Sequence, residues 1–200
     1  LKISQVKTAF KIADVEFVPG STKLKFNYLK ALKNEKGDFL SQKILTQNIA
    51  RVYLIVVDGE IKKIGGSQSE GGIKNTLTIY QDGGIKGRPS IRSFGIWYFL
   101  YHTILEGKKI EFYMIYQENF KKEIKGLFGE KVIENAYISY KLIEQCCIED
   151  YLEFENAQYP EWNVQEQGMD WPLMIKNEHA GLLKSSATGK KTIKRKEVKR

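Results

Sequence analysis

Hydrophobic positions along the chain change period several times, and each change marks an element. Val52-Tyr53-Leu54-Ile55-Val56-Val57 is an unbroken apolar run of strand length, closed by Asp58-Gly59. That dipeptide is a strong two-residue hairpin turn, because Gly takes positive φ freely and Asp does so better than most residues. Glu60-Ile61-Lys62-Lys63-Ile64-Gly65 is therefore expected to return antiparallel, ending at Gly65-Gly66-Ser67. Downstream, residues 71–80 carry a helical pattern, Pro89-Ser90 opens a helix to about residue 106, and residues 109–116 alternate as a third strand. Apolar positions at helical spacing then predict one long helix over about 131–154, and Tyr159-Pro160-Glu161-Trp162-Asn163 stops it and folds back. Ahead of this block, residues 1–13 read as a short amphipathic helix through Ile3, Val6, Phe10 and Ile12. Val15-Glu16-Phe17-Val18 and Leu24-Lys25-Phe26-Asn27-Tyr28 read as strands around Pro19-Gly20-Ser21, and residues 39–49 as a helix. The order predicts an α+β fold, a small antiparallel sheet flanked by helices, with residues 1–50 as an N-terminal elaboration.

Composition narrows this picture. With 42% hydrophobic residues, a chain of 200 residues can bury one real core. The longest apolar stretch, residues 94–105, is far short of the ~20 residues that span a bilayer and reads as a core helix. No charged-then-apolar leader pattern opens the sequence, so a cytoplasmic location and no membrane partner are expected. Cys146 and Cys147 are adjacent, which suits neither a disulfide nor a zinc site, and they are expected to be buried, reduced thiols. The net charge of +8 is mostly local: residues 184–200 hold eight Lys or Arg against Glu197 alone. The pI therefore describes a basic, flexible tail that strengthens phosphate contact or is simply solvated, rather than a basic body.

One side chain does not fit its predicted surroundings. On the expected helix, Ile133, Ala136, Tyr137, Tyr140, Ile143, Cys147, Ile148 and Tyr151 share an apolar face, and Glu144 falls within it. Burying an unpaired carboxylate costs several kcal/mol. Glu144 is thus expected to meet a core-facing Lys or Arg, to ligate a cation or act as a catalytic acid, or to reveal mis-phased helix boundaries.

Taken together, these pieces resemble the GIY-YIG nuclease family. Its first motif, a Tyr in an apolar strand, looks like Arg51-Val52-Tyr53; its second, a hairpin strand ending in Ile-Gly, looks like Lys63-Ile64-Gly65. A later helix carries a Glu, here in Ile143-Glu144, and a Pro-x-x-Asn element follows, here Pro160-Glu161-Trp162-Asn163. The resemblance spans residues 51–163. Lys63 replaces the second-motif Tyr, which is similar to a restriction endonuclease branch; a lysine beside a phenol lowers its pKa and helps it take a proton from water. The family also expects an Arg on the first helix after Ile-Gly, followed by Tyr or His. Tyr80 fits the later position, but residues 72–80 contain no Arg. Lys74, Arg88 and Arg92 are the candidate phosphate clamps. Arg92 ranks first, because a guanidinium grips phosphate bidentately and Pro89-Ser90 sets it in a helical first turn.

The resemblance implies hydrolysis of double-stranded DNA with one Mg²⁺ or Mn²⁺ held by Glu144. Tyr53, Lys63, Tyr80, Arg92 and Glu144 are the expected catalytic residues, and Lys74, Arg88 and Asn163 the expected DNA contacts. Residues 1–50 and the extension 164–183 are assigned to sequence recognition. A homodimer is expected, since one site per chain must cut two strands. A type II restriction enzyme is the leading reading, with a phage or mobile-element nuclease and a non-catalytic nucleic-acid-binding protein as alternatives. His102, amid aromatic residues, reads as a core or groove residue, and His179 has no evident partner.

Overall fold

The computed structural model describes residues 1–83 and 87–197, with backbone alone beyond residue 185. Its centre is a five-stranded antiparallel sheet in the order β2-β1-β7-β5-β6, formed by β1 (Phe10–Phe17), β2 (Leu24–Tyr28), β5 (Arg51–Val57), β6 (Glu60–Ser67) and β7 (Ile110–Tyr116). Two short strands, β3 (Ala31–Lys33) and β4 (Phe39–Ser41), form a side hairpin. Helices α1 (Gly72–Thr78), α2 (Ile91–Leu105), α3 (Tyr140–Phe154) and α4 (Leu173–Glu197) complete the α+β fold. No helix among the described residues is long and apolar enough to cross a membrane.

Every residue of β5 is buried because the sheet is covered on both faces. Tyr53, Ile55 and Val57 face the larger core, with Phe94, Ile96, Trp97 and Leu100 of α2 and Ile73 and Leu77 of α1. Val52, Leu54 and Val56 face a smaller core, closed by Ile143, Cys147, Ile148 and Tyr151 of α3. The β5–β6 turn adopts the expected form, with positive φ at both Asp58 (48°) and Gly59 (84°). At the start of β5, the buried guanidinium of Arg51 donates to the Gln47 carbonyl, and burial lowers its pKa to about 10.

Three predicted helices are corrected. Residues 1–13 hold only a 3-10 turn, Ile3–Gln5, before β1 begins at Phe10. There Ile12 and Ala13 are both fully buried, as a strand covered on two faces requires. Residues 39–49 hold β4 and a 3-10 turn, Gln42–Thr46. The long helix over 131–154 divides: its first turns belong to a hairpin of β8 (Phe120–Gly126) and β9 (Gly129–Ala136), and α3 starts only at Tyr140 behind the N-cap Ser139. Both strands are exposed on both faces, so no buried side imposes the two-residue period that would have announced them. Of the expected flexible arm, residues 184–197 continue the backbone of α4, and residues 198–200 lie outside the described residues.

Two smaller expectations also change. Cys146 is exposed and Cys147 half-buried, since helix neighbours cannot face one core together; burial raises the Cys147 thiol to about 12. His102 is exposed against the Tyr98 ring rather than in the core, and His179 meets the Pro89 carbonyl through Nε2 at 2.8 Å.

Candidate active site

The candidate site is built around β6, which is an edge strand of the sheet. Tyr53 stands directly opposite Gly65 in the β5–β6 register. The Tyr53 ring lies across the glycine so closely that a Cβ there would sit 2.5 Å from the phenol oxygen. The Ile-Gly ending of β6 is therefore what makes room for the tyrosine. The Tyr53 hydroxyl hydrogen-bonds the Tyr80 hydroxyl at 2.8 Å, delivered by the turn after α1. Lys63 pairs with Ile55, so it shares the Tyr53 face at the adjoining diagonal position, and only 1% of it is exposed. Its neighbour Lys62 points to the other side, where it pairs with Glu161 at 3.0 Å and Glu60 at 3.3 Å. The two adjacent lysines are divided where a bulge interrupts the β5–β6 register: one is buried at the site, one is in a surface ion pair.

Glu144 arrives from the opposite face. Its Oε1 accepts the Gly66 amide at 2.7 Å, and a Cβ on Gly66 would meet Tyr140 Cδ2 at 2.7 Å and Glu144 Oε2 at 2.8 Å. The misplaced carboxylate of the sequence is therefore not in a salt bridge with a core cation; a backbone amide of the edge strand partners it. Outward-pointing groups of β6 are satisfied one after another: the Lys62 carbonyl by the Trp162 amide (2.8 Å), both polar groups of Ile64 by Asn163, and the Gly66 amide by Glu144.

Asn163, expected among the DNA contacts, packs against β6. Its side chain is fully buried; Oδ1 accepts the Ile64 amide at 2.9 Å and Nδ2 donates to the Ile64 carbonyl at 2.8 Å. The side-chain amide runs along Ile64 as a neighbouring strand would and holds the edge of β6 in place.

Of the three clamp candidates, Arg92 reaches the cleft. It stands in the first turn of α2 behind the N-cap Ser90, and with Glu144, Lys141, Tyr159 and Glu166 it lines an open cleft of about 470 Å³. Lys74 instead lies 4.9 Å over the Tyr28 ring and lines a separate cleft with Lys30 and Lys43. Arg88 is exposed and is not part of the Glu144 cleft lining.

Glu166 has no signal in the sequence, yet it ties the cations together. Its Oε1 accepts from Arg92 Nη2 at 2.8 Å and lies 3.9 Å from Lys63 Nζ. It comes from a loop of ordinary polar residues, so no pattern distinguishes it from Gln165 or Gln167.

Burial dominates the electrostatics. It lowers the Lys63 ammonium to about 8, against the pull of Glu166 and Glu144 and with the help of Arg92. Burial likewise raises Tyr53 well above the usual phenol range, with Tyr80 and Glu144 adding to the rise and Arg92 opposing it. Tyr80 is also raised, first by burial. Burial lowers the Arg92 pKa, but Glu166, Tyr53, Tyr80 and Glu144 together outweigh it, so the pKa is raised overall. Tyr53 is therefore a neutral phenol at ordinary pH, whereas Lys63 loses its proton near pH 8.

Among the described residues, no group of three or more His, Cys, Asp or Glu side chains converges on a cation site. A single cleft carboxylate is still a fitting donor for Mg²⁺, which keeps most of its waters and is held by one or two carboxylates plus substrate phosphate. Glu144 supplies that donor, with one oxygen engaged by Gly66.

No protein-family profile and no curated protein matches the sequence. Solved structures do match. The chain superposes on a mutant of bacteriophage T4 EndoII with a TM-score of 0.50 at 16% identity, covering 82% of this chain and 99% of that one. The restriction endonuclease HPY188I with its product DNA matches at 21% identity over 76% of this chain and 78% of that one, but its TM-score of 0.39 is too low to bear on the fold. The α+β fold built around the β5–β6 hairpin is thus similar, over nearly the whole of the phage protein, to that of EndoII.

Proposed function

We propose that this chain is a divalent-metal-dependent endonuclease that hydrolyses double-stranded DNA. The observation that carries this reading is the assembly around the edge strand β6: a buried tyrosine pair and a buried lysine with a depressed pKa, beside an open cleft lined by the half-exposed Arg92 and the carboxylates Glu144, Glu149 and Glu166. Perturbed titratable groups gathered in a cleft mark a functional site. The likeness in fold to bacteriophage T4 EndoII adds support.

In this mechanism Glu144 would hold Mg²⁺ or Mn²⁺. When bound, the cation supplies neutralisation of phosphate charge and assistance to the departing oxygen. Arg92 grips the scissile phosphate and stabilises the charge that builds on it, which requires its guanidinium to be shared with or released from Glu166. The Tyr53 hydroxyl, oriented by Tyr80, hydrogen-bonds the attacking water and passes its proton toward neutral Lys63. Because the phenol pKa is raised and that of Lys63 is near 8, the lysine is the group whose deprotonation gates attack. Cutting both strands with one site per chain favours a two-fold homodimer.

Within this class, Lys63 in place of a second tyrosine favours a type II restriction enzyme, while the fold likeness to bacteriophage T4 EndoII favours a phage-type nuclease. Discrete fragments from mixed-sequence DNA with Mg²⁺ select the first, and a smear selects the second. Glu144→Gln is the sharper test of the site, because the amide oxygen still accepts from Gly66 while the charge is lost. Cutting should fall by at least about 10²-fold, with duplex binding in EDTA unchanged. Wild-type cutting by this variant would remove Glu144 from the reaction.

A further inference from the structure

The β8–β9 hairpin stands apart from everything described above. It forms its own two-stranded sheet, joined to none of the five central strands. An isolated two-stranded hairpin is marginally stable in water, so a surface of this kind is suited to a partner. Its tip carries Leu127 and Phe128, which are 94% and 97% exposed.

The pleat divides the hairpin's side chains by charge. Cross-strand pairs place Phe120, Lys122, Ile124, Lys131 and Ile133 on one face, with two lysines and no carboxylate. The other face mixes signs: Lys121 and Lys125 stand among Glu123, Glu130 and Glu134, and Lys121 pairs with Glu134 at 2.9 Å. A face with cations, apolar groups and no acid complements a polyanion that also offers apolar base edges. It does not complement itself. Two copies packed face to face would bring Lys122 and Lys131 against one another with no carboxylate to answer them.

Position and size agree. The hairpin runs into the N-cap Ser139 of α3, and Tyr140 and Glu144, one turn apart on that helix, both lie against Gly66. The arm is therefore rooted beside the candidate active site. Seven residues of β8 extend about 24 Å, or about seven base pairs, and the major groove admits a two-stranded β-ribbon.

We propose that the β8–β9 hairpin is a DNA-gripping arm, laying its Lys122/Lys131 face in the major groove beside the cut site with Leu127 and Phe128 against base edges. This rests on the nuclease reading for the identity of the polyanion, and it can be tested apart from cutting. Binding of the full chain to a labelled mixed-sequence 30-base-pair duplex is measured in EDTA across a salt series. Lys122→Ala/Lys131→Ala should weaken binding about tenfold and reduce the slope of log affinity against log salt by about two. Lys121→Ala/Lys125→Ala, on the other face, should leave that slope unchanged. Leu127→Ser/Phe128→Ser should weaken binding with the slope intact.

Equal effects from the two lysine pairs would overturn the facial assignment, and unchanged binding in all three variants would overturn the arm. So would a tip variant whose only defect, by sedimentation, is lost self-association, since the hairpin would then serve a second copy of the chain. Failure of the wild type to hold the duplex overturns the arm outright. A wild type that holds DNA through this face but never cuts it with Mg²⁺ leaves the arm standing and sinks the nuclease reading alone.

Discussion

Lys63 carries a charge in surroundings that disfavour it. Its folded pKa is about 8 against 10.5 for a free lysine, and burial is the main cause. Below pH 8 the side chain is protonated in both folded and unfolded chains, and the full cost of burying the charge is present. Between pH 8 and 10.5 the unfolded chain binds more protons than the folded one, so stability from this group rises with pH; above 10.5 the cost is gone. Lys63→Met should therefore stabilise the protein at pH 7 by up to about 3 kcal/mol, reduced by whatever Glu166 loses, and the gain should vanish near pH 10.5. Thermal melts of both proteins at pH 7 and 10 check this. The same variant should be inactive, and wild-type cutting should rise with pH to a plateau above about 8. A variant that is neither more stable nor less active would show that burying the Lys63 charge costs little and that the lysine takes no part in the reaction. At this scale the family resemblance singled out Tyr53, Lys63 and Glu144, the last also by its place on an apolar helix face, and the structure sets all three about β6. The sequence had no means of finding Glu166, because nothing local separates that carboxylate from its polar neighbours.

At the scale of elements, β6 shows how an edge strand and a candidate active site share parts. Its outward polar groups are capped by Trp162, Asn163 and Glu144, which arrive from segments about a hundred residues or a whole helix away. Asn163→Ala removes a donor and an acceptor at once and leaves the buried Ile64 amide and carbonyl unpaired. Each unpaired group costs about 1–3 kcal/mol, so unfolding in urea should show a loss of roughly 3 kcal/mol. Affinity of the folded fraction for DNA should not change. A variant of normal stability with weakened DNA binding would restore Asn163 to the DNA contacts. The β5–β6 hairpin was legible because its signals are local: an apolar run, Asp58-Gly59, and a return strand. The β8–β9 hairpin was not. Val132, Ile133, Ala136 and Tyr137 have helical spacing, and only the absence of any packed face lets them stand as an extended arm.

At the scale of the molecule, the sheet order brings distant segments together, with β1 between β2 and β7 and the β5–β6 pair at the far side. α2 and α4 then close the larger core, and the segment leading into α4 seats on α2 at Gly95, whose missing Cβ admits the Trp171 ring: an added Cβ would fall 2.6 Å from Trp171 Cε3. Gly95→Ala gains about 1 kcal/mol of helix propensity but overpacks a buried indole at a cost of about 1–3 kcal/mol. A net fall of roughly 3 °C in Tm follows, readable by calorimetry. A rise in Tm would mean that the α4 end of the core yields freely. What the sequence determined by itself was whatever short-range physics governs: strand and turn of the β5–β6 hairpin, the N-cap at Ser90, and a carboxylate out of place on an apolar helix face. Only the tertiary structure decided that Arg92, not Lys74 or Arg88, reaches the cleft, that Asn163 faces inward, and that Glu166 joins the cations. Those outcomes depend on which remote segments meet at the edge of β6, and contact between residues far apart in the chain leaves no period or spacing to read.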